Sequence, residues 1–150
     1  MELSNLIDRY GFYKLTTMEL DECGKISRNF ARPNEFTNVL YAIVVNSDIK
    51  YIGKASCLWK RFDTYRNCVN WSNAFQSNVT KTKLIEKSIE HGLASLYIRR
   101  CPSLYIGRKS GATLITTMHD EEPHIISVFN PEWNVHYANP VSKSRKSVRR

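Results

Sequence analysis

Two tyrosines, one arginine and one carboxylate in this chain have the types and spacing to cleave a phosphodiester. Tyr41 closes the triplet Val39-Leu40-Tyr41, and Tyr51-Ile52-Gly53 begins ten positions later. Arg61 follows Gly53 by eight residues, and Glu121 opens a later segment running into Phe129-Asn130-Pro131-Glu132-Trp133-Asn134. Phosphodiester hydrolysis needs an activated water, stabilisation of phosphoryl charge and help for the leaving oxygen. Glu121 is the candidate metal ligand: one carboxylate plus waters and a phosphate oxygen suits Mg2+ (or Mn2+), which keeps much of its hydration shell. Arg61 offers a forked cationic donor to a non-bridging phosphate oxygen. Tyr41 or Tyr51 can relay a proton from the attacking water. An unperturbed phenol, with a pKa of about 10, is a poor base at neutral pH, so a nearby cation must help it ionise.

Taken singly, each residue also has a structural reading. Hairpin tyrosines pack across strands, an arginine on a polar helix face is solvated, and Glu121 beside Glu122 complements a helix dipole. Their joint order and spacing favour chemistry.

The elements that must position these residues are partly readable. Asn38 to Val45 is short, apolar and β-branched, as a buried strand requires. Asn46-Ser47-Asp48 supplies turn chemistry, and Ile49 to Gly53 returns as a second strand. Ser56 is the expected N-cap of a helix whose apolar stripe is Leu58, Phe62, Tyr65 and Val69. Residues 70–79 read as a polar loop and Thr82 to His91 as a second helix, stopped by Gly92. Leu96 and Ile98 alternate with polar neighbours as a third strand. Residues 102–112 look like an inserted loop, and Thr113 to Met118 like a strand or an extended lead-in. Asp120 is expected to cap a helix through Phe129 that Pro131 stops. Phe12 to Thr16 is a candidate short strand in an otherwise aperiodic stretch.

The expected class is therefore α+β, a small three-stranded antiparallel sheet flanked by helices in the order β-β-α-α-β-α. The expected divisions are an N-terminal extension (1–37), a central domain (38–134) with an insertion near 100–113, and a basic C-terminal tail (135–150). At 150 residues and 42% hydrophobic content, one globular domain is expected. No apolar run approaches the ~18 residues of a membrane span. No basic region precedes an apolar stretch at the N-terminus, so a cytoplasmic location is expected. The net charge is +8, with Lys143, Arg145, Lys146, Arg149 and Arg150 crowding the tail. Such a tail either solubilises or tracks a polyanion. Cys23, Cys57, Cys68 and Cys101 lack metal spacing and are expected as reduced thiols.

From about Asn38 to Asn134 the chain resembles the GIY-YIG nucleases. Val39-Leu40-Tyr41 stands where the family name has Gly-Ile-Tyr, a departure at two strand-packing positions. The resemblance implies that Tyr41, Tyr51, Gly53 and Arg61 are catalytic, that Glu121 binds the metal, and that Asn134 buttresses the site. Glu121 and Glu122 compete for the ligand role, and the spacing to Pro131 and Trp133-Asn134 favours Glu121. A histidine that some members place after the arginine is absent, and Tyr65 takes that space. The likeness to phage-encoded members extends through Phe12-x-Lys14, Glu19-Leu20-Asp21, Lys81 and Leu84-Ile85. It implies Lys14 near the active site and Lys81 on the DNA backbone. It also implies double-stranded DNA as substrate, nicks and double-strand breaks with 5′-phosphate and 3′-hydroxyl ends, and a homo-oligomer. Lys54, Lys60, Tyr65, Arg66 and Lys83 lie near the site in sequence and are further DNA-binding candidates. The rival is a catalytically idle DNA-binding module on the same fold.

Overall fold

Strand β2 (Thr37–Val45) is buried at every residue from Asn38 to Val45, which requires cover on both of its faces. A computed structural model describes residues 2–108 and 110–134, and helices supply that cover. The other elements in chain order are α1 (Glu2–Asp8), β1 (Tyr13–Thr17), β3 (Asp48–Cys57), α2 (Leu58–Asn67), α3 (Gln76–His91), β4 (Ala94–Arg100), β5 (Ser103–Ile106), β6 (Thr113–Thr116) and α4 (Met118–Phe129). The main sheet has the order β1-β4-β2-β3, with every pair antiparallel. β5 and β6 form a separate hairpin.

The pleat of β2 divides the core. Val39, Tyr41, Ile43 and Val45 pack with Leu58, Phe62 and Tyr65 of α2 and Ile85 of α3. Leu40, Ala42 and Val44 pack with Leu6 of α1, Phe12, and Met118, Ile125, Ile126 and Phe129 of α4. Alternate side chains of one strand thus feed two apolar layers. Asn46 and Ser47 join β2 to β3 with φ of 50° and 73°, the paired positive values that match the twist of a tight hairpin.

The α+β class and the three expected strands are present, and the sheet gains a fourth. Residues 13–17 pair with β4, so part of the N-terminal extension belongs to the sheet. Helix boundaries differ locally. β3 continues through Ser56, and Cys57 occupies the N-cap of α2 without a side-chain hydrogen bond. Val69 falls in a 3-10 turn beyond α2 and is exposed. α3 starts at Gln76, inside the segment read as a loop, because a polar helix start carries no apolar stripe. Most of the expected inserted loop is the β5–β6 hairpin. α4 begins two residues before Asp120, with Thr117 at its N-cap. Cys57, Cys68, Cys101 and Cys23 are free thiols. No helix among the described residues is long and apolar enough to cross a membrane. The basic tail lies outside the described residues.

Candidate active site

The free edge of β3 organises the site. Tyr41 is the cross-strand partner of Gly53, and Tyr51 lies opposite Ile43, so the pleat turns Tyr41, Tyr51 and Gly53 toward α2. A Cβ at Gly53 would lie 2.7 Å from Tyr41 Cζ and Oη and 2.7 Å from Tyr51 Cε2. The glycine is required by the close approach of two rings, whose centroids are 5.9 Å apart. The Tyr41 hydroxyl is 2.5 Å from that of Tyr65, and Phe62 packs edge-on against both rings. Burial pushes the Tyr41 and Tyr65 phenols well above their usual range, so both remain neutral at ordinary pH. Tyr51 is only half-buried, and the Lys81 ammonium sits 4.1 Å from its ring centroid.

Arg61 stands one helical turn before Tyr65 on α2. The phenols, Tyr41 most, favour its charge only where they ionise, burial opposes it, and Glu122 adds to the attraction. Its Nη2 donates to the Lys54 carbonyl at 3.4 Å. Glu122 arrives from α4, on the opposite side of the sheet. Burial raises its carboxyl above the ordinary range, although Lys54 and Arg61 both favour the ionised form. Lys54 Nζ lies 3.8 Å from Glu122 Oε1 and 3.0 Å from His119 Nδ1.

Tyr51, Lys54, Lys81, Glu122, Trp133 and Asn134 line one cleft of about 400 Å³, with the first turns of α3 as a further wall. Arg61 and Lys60 line an adjoining groove. Asn134 closes the edge: its Oδ1 accepts from the Ile52 amide at 3.0 Å, and its Nδ2 donates to the Ile52 carbonyl at 2.8 Å. The Trp133 amide donates to the Lys50 carbonyl at 2.9 Å. The segment after α4 therefore satisfies β3 as a short neighbouring strand would, tethering Glu122's helix to the strand of Tyr51 and Gly53.

Several expected site residues stand elsewhere. Glu121 points away from the cleft, with Arg99 Nε donating to its Oε1 at 2.6 Å and Thr117 Oγ1 donating to Oε2. Adjacent helical residues diverge by about 100°, so only one of the two carboxylates can face the cleft, and it is Glu122. Lys14 is exposed on β1, at the far edge of the sheet. Two strand spacings, roughly 10 Å, separate β1 from the strand of Tyr41 and three, roughly 14 Å, from that of Tyr51, and Lys14 shares its row with Tyr97 and Ala42, not with Tyr41, so it stands apart from this chain's own tyrosine cluster. Arg66 donates to Asp21 Oδ2 and the Ile26 carbonyl, both at 2.7 Å, and holds a turn instead of facing a ligand. Tyr65 is 1% exposed and supports Tyr41 from inside. Lys60 and Lys83 are exposed on α2 and α3. His119 carried no sequence signal, because its contact with Lys54 spans 65 positions.

The described residues contain no group of three or more His, Cys, Asp or Glu side chains that could hold a metal. Glu122, lining the cleft, suits an ion that takes its remaining ligands from water and phosphate, as Mg2+ does.

No family model matches the chain. Endonuclease II of Enterobacteria phage T4 is 36% identical over 136 residues, covering 90% of this chain and 98% of that protein. The chain belongs to the endonuclease II family of GIY-YIG DNA endonucleases. A solved mutant of bacteriophage T4 EndoII superposes with a TM-score of 0.73 at 33% identity, over 90% of this chain and 100% of that one. Restriction endonuclease HPY188I in complex with product DNA reaches a TM-score of 0.53 at 15% identity, over 84% and 78% of the two chains, a likeness of fold alone. In this endonuclease the signature tyrosines and glycine share one sheet face, Arg61 stands over them, and Glu122 comes around the strand edge.

Proposed function

We propose that this endonuclease is divalent-metal-dependent and cuts double-stranded DNA, giving nicks and double-strand breaks with 5′-phosphate and 3′-hydroxyl ends. The likeness to a phage T4 endonuclease supports a phage origin, and action on host DNA in the host cytoplasm belongs to the same proposal. Convergence of Tyr51, Lys81 and Glu122 on one cleft, with Arg61 beside it, carries the reading.

In this reading Glu122, assisted by waters and a phosphate oxygen, holds the ion. When bound, Mg2+ or Mn2+ supplies a Lewis acid for the leaving 3′ oxygen. Arg61 takes up phosphoryl charge as the water attacks in line. Tyr51 is the tyrosine with access to that water and relays its proton, with Lys81 over its ring and Arg61 nearby to offset the negative charge that develops. Tyr41 and Tyr65, neutral and hydrogen-bonded, hold the cluster. Asn134 fixes the β3 edge. Lys54, Lys60, Lys81 and Lys83 are the remaining candidates for the DNA backbone.

The test is cleavage of supercoiled plasmid with Mg2+ or with EDTA. Arg61→Ala and Glu122→Ala are each expected to lower the rate by about 100- to 1,000-fold, and EDTA to abolish it. Wild-type cleavage by Glu122→Ala, or in EDTA, would overturn the reading. Salt-sensitive DNA binding without cleavage by the wild-type protein would move it to the idle binding module.

A further inference from the structure

We propose that Glu121 and Arg99 form a clamp that holds the first turns of α4 in place and thereby keeps Glu122 aimed into the cleft, which makes Glu121 a positioning residue. The proposal rests on the reading of Glu122 as the metal ligand.

Arg99 of β4 is the cross-strand partner of Leu40, and Leu40 is the partner of Lys54 on β3. These three side chains form one row on the face that α4 covers, with the two cations at its ends, about 10 Å apart across two strand spacings. The consecutive carboxylates of α4 meet the two ends separately. Glu121 takes Arg99 at 2.6 Å, and Glu122 lies 3.8 Å from Lys54. Rotating the helix by one residue, about 100°, would swing Glu122 out of the cleft.

The apolar stripe of α4, Met118, Ile125, Ile126 and Phe129, sets its coarse rotation against the core. The clamp fixes the smaller rotation and tilt that this packing leaves free. Charge-assisted hydrogen bonds are directional. Both Glu121 oxygens are used, one by Arg99 and one by Thr117 at the N-cap. Arg99 is itself anchored, with Nη1 donating to the Tyr10 carbonyl at 3.1 Å. The clamp therefore joins β4, α4 and the N-terminal segment.

Pro123 makes such a tether necessary. It lies inside α4 and has no N–H to return to the carbonyl four residues earlier, His119, so the helical ladder lacks a rung there. The turn that carries both carboxylates is tied less firmly to the rest of the helix, and the clamp replaces that restraint from outside.

The experiment measures Mn2+ binding to the full chain without DNA, by electron paramagnetic resonance, beside the metal concentration for half-maximal plasmid cleavage. Glu121→Ala and Arg99→Ala are each expected to weaken Mn2+ binding by about 10-fold, with most of kcat recovered at saturating metal. Glu121→Gln keeps an oxygen that accepts from Arg99 and places an amide that can donate to Thr117 Oγ1, and should stay near wild type. Circular dichroism confirms folding, and if Arg99→Ala fails to fold, Arg99→Lys takes its place. Wild-type Mn2+ affinity in Glu121→Ala would overturn the clamp. Loss of binding in Glu121→Ala that Arg99→Ala does not share would make Glu121 a ligand and also overturn it. Glu122→Ala separates the two readings. If it binds Mn2+ as wild type does, the ligand assignment itself fails; if it loses binding while Glu121→Ala does not, only the clamp fails.

Discussion

Gly53 has no side chain where two tyrosine rings converge, and any Cβ there would meet three of their atoms at 2.7 Å. Tyr41 cannot retreat, because it is 1% exposed and packed against Phe62 and Tyr65. Gly53→Ala should therefore lower the urea-unfolding free energy by about 1–3 kcal/mol, the usual range for overpacking. Cleavage should fall by about 100-fold as the rings shift from working geometry. Unchanged activity in a folded Gly53→Ala protein would mean that Tyr51 moves freely. Glu122 makes the opposite trade. Its carboxyl is raised by burial, so the folded state holds its proton more tightly than the unfolded chain does. The resulting stability is present below the ordinary carboxylate range and is lost as pH rises through the raised value. Metal-free Glu122→Gln should accordingly melt above wild type at neutral pH, by about 2–4 °C, and the gap should close in acid. Mg2+ should raise the melting temperature of wild type and not of the variant, because only the site with its carboxylate gains ligand stabilisation. A gap that widens in acid would contradict the burial argument.

At the scale of elements, two basic side chains near the site divide between scaffold and ligand. Arg66 ties α2 to the turn at Asp21–Ile26, whereas Lys81 lines the cleft. Arg66→Ala should lower the melting temperature and leave unchanged the slope of log K against log salt for DNA binding. Lys81→Ala should reduce that slope by about 1 with little effect on melting. Asp21 is held below its ordinary range, chiefly by Arg66, so this contribution is present above the unfolded carboxylate's pKa and is lost as pH falls through the folded one. Melting curves of Arg66→Ala and wild type should converge in acid. A reduced salt slope in Arg66→Ala would return it to the DNA contacts. The same distinction explains what the sequence discloses. The β2–β3 hairpin and the Leu58, Phe62, Tyr65 stripe are local periodicities, legible one residue after another. Phe12 to Thr16 reads locally as a short strand, but β1 joins the sheet only through β4, more than 75 positions away in sequence, so its place in the sheet has no local trace. The partner of Arg66 lies 45 positions back. Assigning Glu121 and Glu122 to their faces depends on Arg99 and Lys54 and on where α4 starts, and adjacent identical residues offer no internal clue.

For the molecule as a whole, the β5–β6 hairpin presents an apolar surface. Leu104, Tyr105, Ile106 and Ile115 are 55%, 68%, 52% and 50% exposed, and Leu104 and Ile115 are cross-strand partners. An isolated two-stranded hairpin is marginal in water, and one with apolar residues outward calls for a covering surface. The described residues assemble one candidate active site, whereas the proposed double-strand break needs a cut in each of two strands that run in opposite directions. A second copy joined through this hairpin would satisfy both demands, covering the patch and bringing a second cleft to the same DNA. Leu104→Lys combined with Ile106→Lys should then lower the mass in sedimentation equilibrium to that of one chain. Nicking of supercoiled plasmid should persist. Linear product should fall by about 10-fold or more, since the second cut loses the effective concentration that a joined subunit provides. An unchanged mass with weakened DNA binding would instead make the hairpin a DNA contact. An unchanged mass with unchanged cleavage would leave its apolar side chains without either role.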